Sequence, residues 1–264
     1  MTKPAVSVIT PVFNAAKWLP EMLNSVKQQT FKDWEHILVD DRSTDGSVEL
    51  IEAAAAQDTR IRLVRLEANG GPAQARNRAL EIAQGRYIAL LDADDLWLND
   101  KLEKCLQFMQ ENQHPFVYHA FRYLSADGKR VGAVVKGPRK LNLRTLHVNR
   151  GTGDCMSMVI DTNQIPNFRF PKVERRLLHE DWAAWLSIVR QGFTGHLLDR
   201  DLGRYRKSGA SRNSSKLRAA LDVWRLYHKY EKLPWFTAAS YWCLYAFNSL
   251  RLKMASEPRF PEAV

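Results

Sequence analysis

The sequence predicts an α/β fold built on a mostly parallel, doubly wound sheet, with a mixed second half and a C-terminal helical extension. Three observations predict it. Strand-like apolar runs begin near residues 5, 35, 61 and 87, a spacing of about thirty that is the rhythm of βαβ units. Polar and acidic residues collect just after those runs, where open α/β sheets place their ligand crevice. Beyond Met109 the rhythm breaks, and Ala126-Asp127-Gly128-Lys129 between two apolar runs signals a hairpin.

Taken in order, Ala5–Pro11 is the first strand, and Trp18, Leu19, Met22, Leu23 and Val26 recur at helical spacing after it. His36–Val39 is the second strand and ends in Asp40-Asp41; Asp45-Gly46-Ser47 then opens a helix with Val48, Ile51, Ala54 and Ala55 inward. Ile61–Leu66 is the third strand. Asn69-Gly70-Gly71-Pro72 turns the chain, and Pro72 suits the first position of a helix that runs to Gln84 and stops at Gly85. Tyr87–Leu91 is apolar enough for an inner parallel strand. A helix carrying Leu102, Cys105, Leu106 and Met109 closes this half.

In the second half, Phe116–Leu124 and Arg130–Val135 form the hairpin, and Lys136–Arg150 is a basic exposed loop or a set of short helices. Cys155–Ile160 is a strand. A helix follows Leu177–Glu180, with Trp182, Trp185, Leu186 and Val189 on one face and Gly192 at its end. Gly203–Asn213 is a basic flexible loop, Lys216–Glu231 a helix, and Leu233–Leu250 an aromatic run followed by Arg251 and Lys253. The chain divides into an α/β domain over 1–212, with halves 1–100 and 101–212, and an extension over 213–264.

Composition limits the function classes. With 45% hydrophobic and 26% charged residues over 264 positions, the chain is neither disordered nor fibrous. A net charge of +10 favours anionic partners: nucleic acid, lipid or phosphorylated substrates. Cys105, Cys155 and Cys243 are scattered, which gives neither a disulfide framework nor a thiolate zinc site and indicates a reducing, cytoplasmic setting. The first apolar run is too short for a signal peptide, and no run reaches the roughly 18 apolar residues that span a bilayer. A soluble or peripheral protein is expected.

Asp92, Asp94 and Asp95 crowd the end of the fourth strand. Acids so placed repel one another unless a cation or a donor-rich ligand lies between them, although the same residues also serve as turn formers and helix caps. Hard oxygen ligands favour Mg²⁺ or Mn²⁺ over zinc, held by one or two carboxylates together with phosphate oxygens. Asp40 and Asp41 stand at a second strand tip, where Asp-Arg-Ser-Thr-Asp-Gly also reads as a plain turn. Arg76 and Arg78 follow the Gly70-Gly71-Pro72 turn, which lacks the spacing of a dinucleotide or P-loop fingerprint. His179-Glu180-Asp181 groups three proton-handling residues, with Asp181 also a helix-cap candidate. Arg204, Arg206 and Arg212 suit a mobile cationic loop that closes over phosphates.

Val6–Asn14, then Val39-Asp40-Asp41-Arg42-Ser43-Thr44-Asp45-Gly46-Ser47, then Gly71–Asn77 and Gly85–Asp95 together resemble the inverting glycosyltransferases of family 2, which have the GT-A fold. The resemblance covers about residues 5 to 100 in order. His179-Glu180-Asp181-Trp182 resembles that family's base motif, and Tyr205-Arg206 through Ser211 its late donor-covering loop. The tail after Ser211 is similar to bacterial enzymes of O-antigen, capsule and teichuronic-acid assembly.

The resemblance implies a role for each matching residue. Pro11 and Phe13 line the nucleobase pocket, Asp41 bonds the uracil edge, Asp92 lies by the ribose and Arg76 helps hold the nucleotide. Asp94, with Asp92 beside it, binds Mn²⁺ or Mg²⁺ on the diphosphate, Arg206 reaches the phosphates, and Asp181 is the base, with Glu180 the alternative. The implied partners are a nucleotide-sugar donor, with uridine favoured, and a glycan or polyprenyl-diphosphate-linked acceptor at the inner membrane surface; nucleic acid is not expected. Trp235, Phe236, Tyr241, Trp242, Tyr245 and Phe247 are read as an interfacial helix or, equally, as a helix packed on protein. Two other classes compete. A sugar-phosphate nucleotidyltransferase needs a Gly-rich loop after strand one, and Thr10–Ala16 has no glycine; a basic nucleic-acid-binding module has no need of the acid cluster.

Overall fold

The computed structural model describes residues 3–148, 154–171, 180–207, 221 and 223–256. His179, Ser208–Asn213 of the basic segment and most of the first half of the helix expected over Lys216–Glu231 lie outside the described residues.

The parallel half forms as its periodicity predicts. Strands β1 (Val6–Val12), β2 (Trp34–Asp40), β3 (Ile61–Arg65) and β4 (Tyr87–Leu90) alternate with helices α1 (Leu19–Lys27), α2 (Ser47–Gln57) and α3 (Pro72–Ile82). All four strands run parallel, in the order β3-β2-β1-β4. The second half adds β5 (Leu96–Trp97), α4 (Lys101–Asn112), β6 (Phe116–Ser125), β7 (Val131–Val135), β8 (Lys140–Leu141), α5 (Leu143–Val148), β9 (Val159–Asp161), α6 (Glu180–Arg190), β10 (Gly195–Lys207) and α7 (Trp235–Ser256). The sheet continues from β4 through β9, β6 and β10 to β5; β9 is antiparallel to both neighbours, and β7 pairs with β6 as the hairpin signal requires.

Alternation along the inner strands feeds two cores. Ile9, Ile37, Val39 and Leu90 face α3, α5, α6 and α7, whereas Val8, Leu38 and Ala89 face α1, α2 and α4. At the amino ends of the strands, Glu35 accepts hydrogen bonds from Ser7 Oγ and the Gln84 amide, each at 2.7 Å, and pairs with Arg62 at 2.8 Å. That buried carboxylate is fully partnered, so this end of the sheet is structural.

Two readings of the second half are corrected. Gly203–Lys207 is not loop but the end of the 13-residue strand β10, which lies between β6 and β5. Its charges are tolerated because they are paired: Arg204 with Asp201 at 2.7 Å, Arg206 with Glu21 at 2.6 Å, and Asp201 with Arg122 at 2.8 Å. Cys155–Ser157 is a 3-10 turn, so the strand expected over Cys155–Ile160 shortens to β9. The turn is held where Trp97 Nε1 donates to the Met156 carbonyl at 2.7 Å. Of the aromatic residues in α7, Tyr241, Trp242 and Tyr245 pack on the core rather than facing outward.

Candidate active site

The carboxyl ends of β1, β2 and β4 open on one side, and the end of β10 reaches the same place. After β1, Phe13 is 54% exposed and Asn14 takes a left-handed conformation, φ 49°. Loop-to-loop bonds fix this turn: the Asn14 amide donates to Ser43 Oγ at 3.0 Å, the Thr44 amide to Asn14 Oδ1 at 2.8 Å, and the Ala16 amide to Asp45 Oδ2 at 3.0 Å. Pro11 stays half-buried in β1 while Phe13 projects, which gives an apolar ring beside a polar rim.

Asp41 is buried, and its two carboxylate oxygens accept the Gly70 and Gly71 amides, each at 2.7 Å. Gly71 has φ 85°, which a side chain would strain, so glycine is what lets the loop wrap onto the carboxylate. A carboxylate oxygen that accepts one hydrogen bond retains capacity for a second. Asp40 turns back instead and accepts the Ser43 amide at 3.2 Å.

Arg76 is delivered by α3 and is 4% exposed. Its Nη2 donates to Asp92 Oδ1 at 2.5 Å, its Nη1 lies 3.7 Å from Glu180 Oε1, and its guanidinium carbon lies 5.1 Å from the centre of the Phe170 ring. Asn77, the next residue, holds Phe170 from both sides, donating to its carbonyl and accepting its amide at 2.8 Å. One arginine thus joins the tip of β4 to the start of α6. Glu180 and Asp181 come to the site by this link, and the Trp182 amide donates to Asp181 Oδ1 at 2.7 Å.

The remaining acids sit closer to the core. Burial, reinforced by Asp92, pushes the Asp94 carboxyl up to about 6. Burial and then Asp94 and Asp92 raise Asp95 well above the usual carboxylate range. Asp95 Oδ1 accepts the Arg206 amide at 2.8 Å, while Oδ2 is buried with no hydrogen-bond partner. Crowded carboxyls with raised affinity for protons are the donor set that a hard divalent cation fits, because its charge relieves the same repulsion. Among the described residues no group of three or more metal-ligating side chains converges, so one or two carboxylates are what this strand tip offers.

Arg206 is brought to the acids but turned inward. It is 3% exposed, with Nε on the Asp94 carbonyl at 2.8 Å and Nη2 on Glu21 Oε2 at 2.6 Å.

Three participants were not singled out from sequence. Asp154, before the 3-10 turn, is pushed up to about 7 by burial and by Asp181. Lys207 lies 4.1 Å from the centre of the Tyr123 ring and 5.0 Å from that of Tyr205, with its charge felt by Asp154 and Asp95. Glu21 holds Arg206 from α1. The only local signal was Asp154 standing next to glycine ahead of an apolar run; Glu21 and Lys207 acquire meaning only through contacts far apart in the chain.

The family model described as "Glycosyl transferase family 2" matches residues 7–161. The Bacillus subtilis (strain 168) protein TuaG, a glycosyltransferase by name assigned to teichuronic acid biosynthesis, is 38% identical over 254 residues, covering 96% of this chain and 98% of that one. The Escherichia coli UDP-Glc:alpha-D-GlcNAc-diphosphoundecaprenol beta-1,3-glucosyltransferase WfgD is 34% identical over 220 residues, 83% of each chain. The crystal structure of S. aureus TarS 1-349 in complex with UDP-GlcNAc superposes with a TM-score of 0.68 at 22% identity, covering 98% of this chain and 74% of that one, and it shares the GT-A fold. With the family's match spanning more than half of the sequence and a relative aligned over nearly its whole length, the chain belongs to glycosyl transferase family 2.

Proposed function

We propose that this glycosyltransferase moves a sugar from a UDP-sugar to a hydroxyl of a glycan carried on a polyprenyl diphosphate, in bacterial surface polysaccharide synthesis, with inversion at the anomeric carbon. The observation that supports the reading is the Arg76 link, which brings Glu180, and with it the neighbouring Asp181, to the acids at the tip of β4. Direct displacement needs both kinds of group at one site: a base for the acceptor hydroxyl and a charge sink for the leaving group.

Phe13 and Pro11 form the wall against which the nucleobase stacks, and Asp41 accepts from the base edge with the lone pairs its glycine contacts leave free. Asp92 meets the ribose. Arg76 orients Asp92 and lends its charge to the nucleotide. Asp181 takes the proton of the acceptor hydroxyl as the new bond forms from that oxygen to the anomeric carbon and the bond to the diphosphate oxygen breaks. Glu180, paired with Arg76, is the alternative base. Asp94 and Asp92 would hold Mn²⁺ or Mg²⁺, which when bound supplies positive charge to the diphosphate. Arg206 fixes the Asp94 loop, and Lys207 adds a cation on the crevice side.

Two relatives support the acceptor class, one named for an undecaprenol-linked substrate and one for a surface polymer. A lipid-carried acceptor puts the enzyme at the inner leaflet of the cytoplasmic membrane. A thermal-shift and hydrolysis screen of UDP-, GDP- and dTDP-sugars, with and without Mn²⁺, tests the donor assignment. Stabilisation and slow hydrolysis of a UDP-sugar are expected; a response to none of them would overturn the reading.

A further inference from the structure

We infer that the outward face of α7 docks the protein on an anionic lipid bilayer, lying in the interface rather than crossing it. The inference rests on the functional reading only for the notion that the acceptor is carried by lipid; the surface itself is argued from the helix.

From Trp235 to Asn248, α7 contains no charged side chain. One face is already occupied: Ala238 is buried, and Tyr241, Trp242 and Tyr245 pack on the core. The other face is largely apolar as well. Phe236 and Phe247 are each 64% exposed and Leu244 48%, at the i, i+8, i+11 spacing that aligns them along one stripe, with the exposed Cys243 beside them. Trp235, 61% exposed, stands against Phe236 with ring centres 4.4 Å apart. Ser240 interrupts this stripe, with its hydroxyl donating to the Thr237 carbonyl at 2.9 Å, but the rest of the face is apolar and the protein leaves it uncovered.

Charge selects the occupant. The uncharged stretch is preceded in sequence by Lys229 and Lys232 and followed by Arg251 and Lys253, within a chain of net charge +10. A second copy would bring the same +10 against it, whereas anionic headgroups gain from each basic residue near the surface. Among the described residues no helix is long and apolar enough to cross a membrane, so the helix lies along the surface. Trp235 at the start of the helix and Lys232 just before it in sequence are the residue types that settle at the level of the headgroups.

The helix is also fixed to the catalytic core. Tyr241 stacks on the buried His147 ring with centres 5.0 Å apart and planes 10° from parallel, and Asn248 Nδ2 donates to the Val148 carbonyl at 2.9 Å. Docking through Phe236, Leu244 and Phe247 therefore sets one orientation of the active-site crevice relative to the bilayer.

The test is flotation of the full chain with vesicles of phosphatidylglycerol and phosphatidylethanolamine, against phosphatidylcholine vesicles, for the parent and the triple variant Phe236→Ser, Leu244→Ser, Phe247→Ser. The parent is expected to float with the anionic vesicles and the variant to partition about ten-fold less or weaker still. Hydrolysis of the UDP-sugar in solution, which does not use this face, reports that the variant is folded. Equal flotation of parent and variant, or no flotation of the parent on anionic vesicles, overturns the inference. So does a parent dimer that the substitutions convert to monomer without any change in vesicle binding. Absence of donor hydrolysis in the parent would count against the functional reading instead, and the flotation result would stand apart from it.

Discussion

Arg76 Nη2 donates to Asp92 Oδ1 at 2.5 Å, and this contact orders the site. The guanidinium is buried while both of its carboxylate partners reach the crevice, so the charge on one side of the gap is set by a residue that hardly meets solvent. Replacing it strands Asp92 and Glu180 without a counter-charge. Arg76→Met is expected to lower stability by about 3 kcal/mol in urea denaturation, and to weaken UDP binding by more than Arg78→Met, which removes only an exposed pair with Glu81. Equal effects of the two would contradict the assignment.

Asp181 and Glu180 separate by rate. Loss of a general base removes about 10²–10⁴-fold, so Asp181→Asn should lower kcat by that factor with little change in donor KM. Glu180→Gln keeps a hydrogen-bonding side chain beside Arg76 and should cost about ten-fold or less. The reverse order, measured on a lipid-linked acceptor, would make Glu180 the base.

Asp154 is a stability cost at neutral pH. Its folded-state carboxyl is raised to about 7 from the usual 3.8 by burial and by Asp181, so the unfolded chain gives up its proton first as pH rises, and stability is lost between those two values. Asp154→Asn removes the penalty. At pH 7.5 the variant should be more stable by about 2 kcal/mol, with the gain gone by about pH 4. A variant less stable than the parent at pH 7.5 would show that the carboxylate is better partnered than its surroundings indicate.

Buried histidines give the opposite slope. Burial lowers His36, held at 2.9 Å from Thr10 Oγ1, to about 3, and burial with Lys101 lowers His119 to about 3. A depressed folded value means stability that is present above the unfolded value near 6.5 and is lost as pH falls toward 3, at about 1.4 kcal/mol per pH unit for each ring. The raised acids act in the other sense, so the readout is a difference. His36→Gln should lose about 2 kcal/mol less than the parent between pH 7.5 and pH 5 by urea denaturation. Identical slopes would mean that His36 is not buried in its neutral form.

What the sequence made legible follows from how locally each feature is encoded. The tips of β2 and β4 were readable because their acids follow apolar runs of fixed period, and Asp41, Asp92 and Asp94 lie where that rhythm puts them. The path of β10 was not readable. Its charges suit an exposed loop until Arg206 meets Asp95 and Glu21, partners more than a hundred residues upstream. The two faces of α7 could not be told apart either, because both are apolar and period alone does not say which one the core covers. Arg76 was named as a nucleotide ligand, but its grip on Glu180 depends on α6 folding back over α3.

The account stands most directly on Asp94. Calorimetric titration of UDP into the pure protein, with and without Mn²⁺, for the parent and Asp94→Asn, reads whether the acids at the β4 tip couple cation to nucleotide. The account predicts that Mn²⁺ tightens UDP binding by about ten-fold or more in the parent and has no effect in the variant. Tight UDP binding indifferent to Mn²⁺ in both proteins, or equal tightening in both, would contradict it.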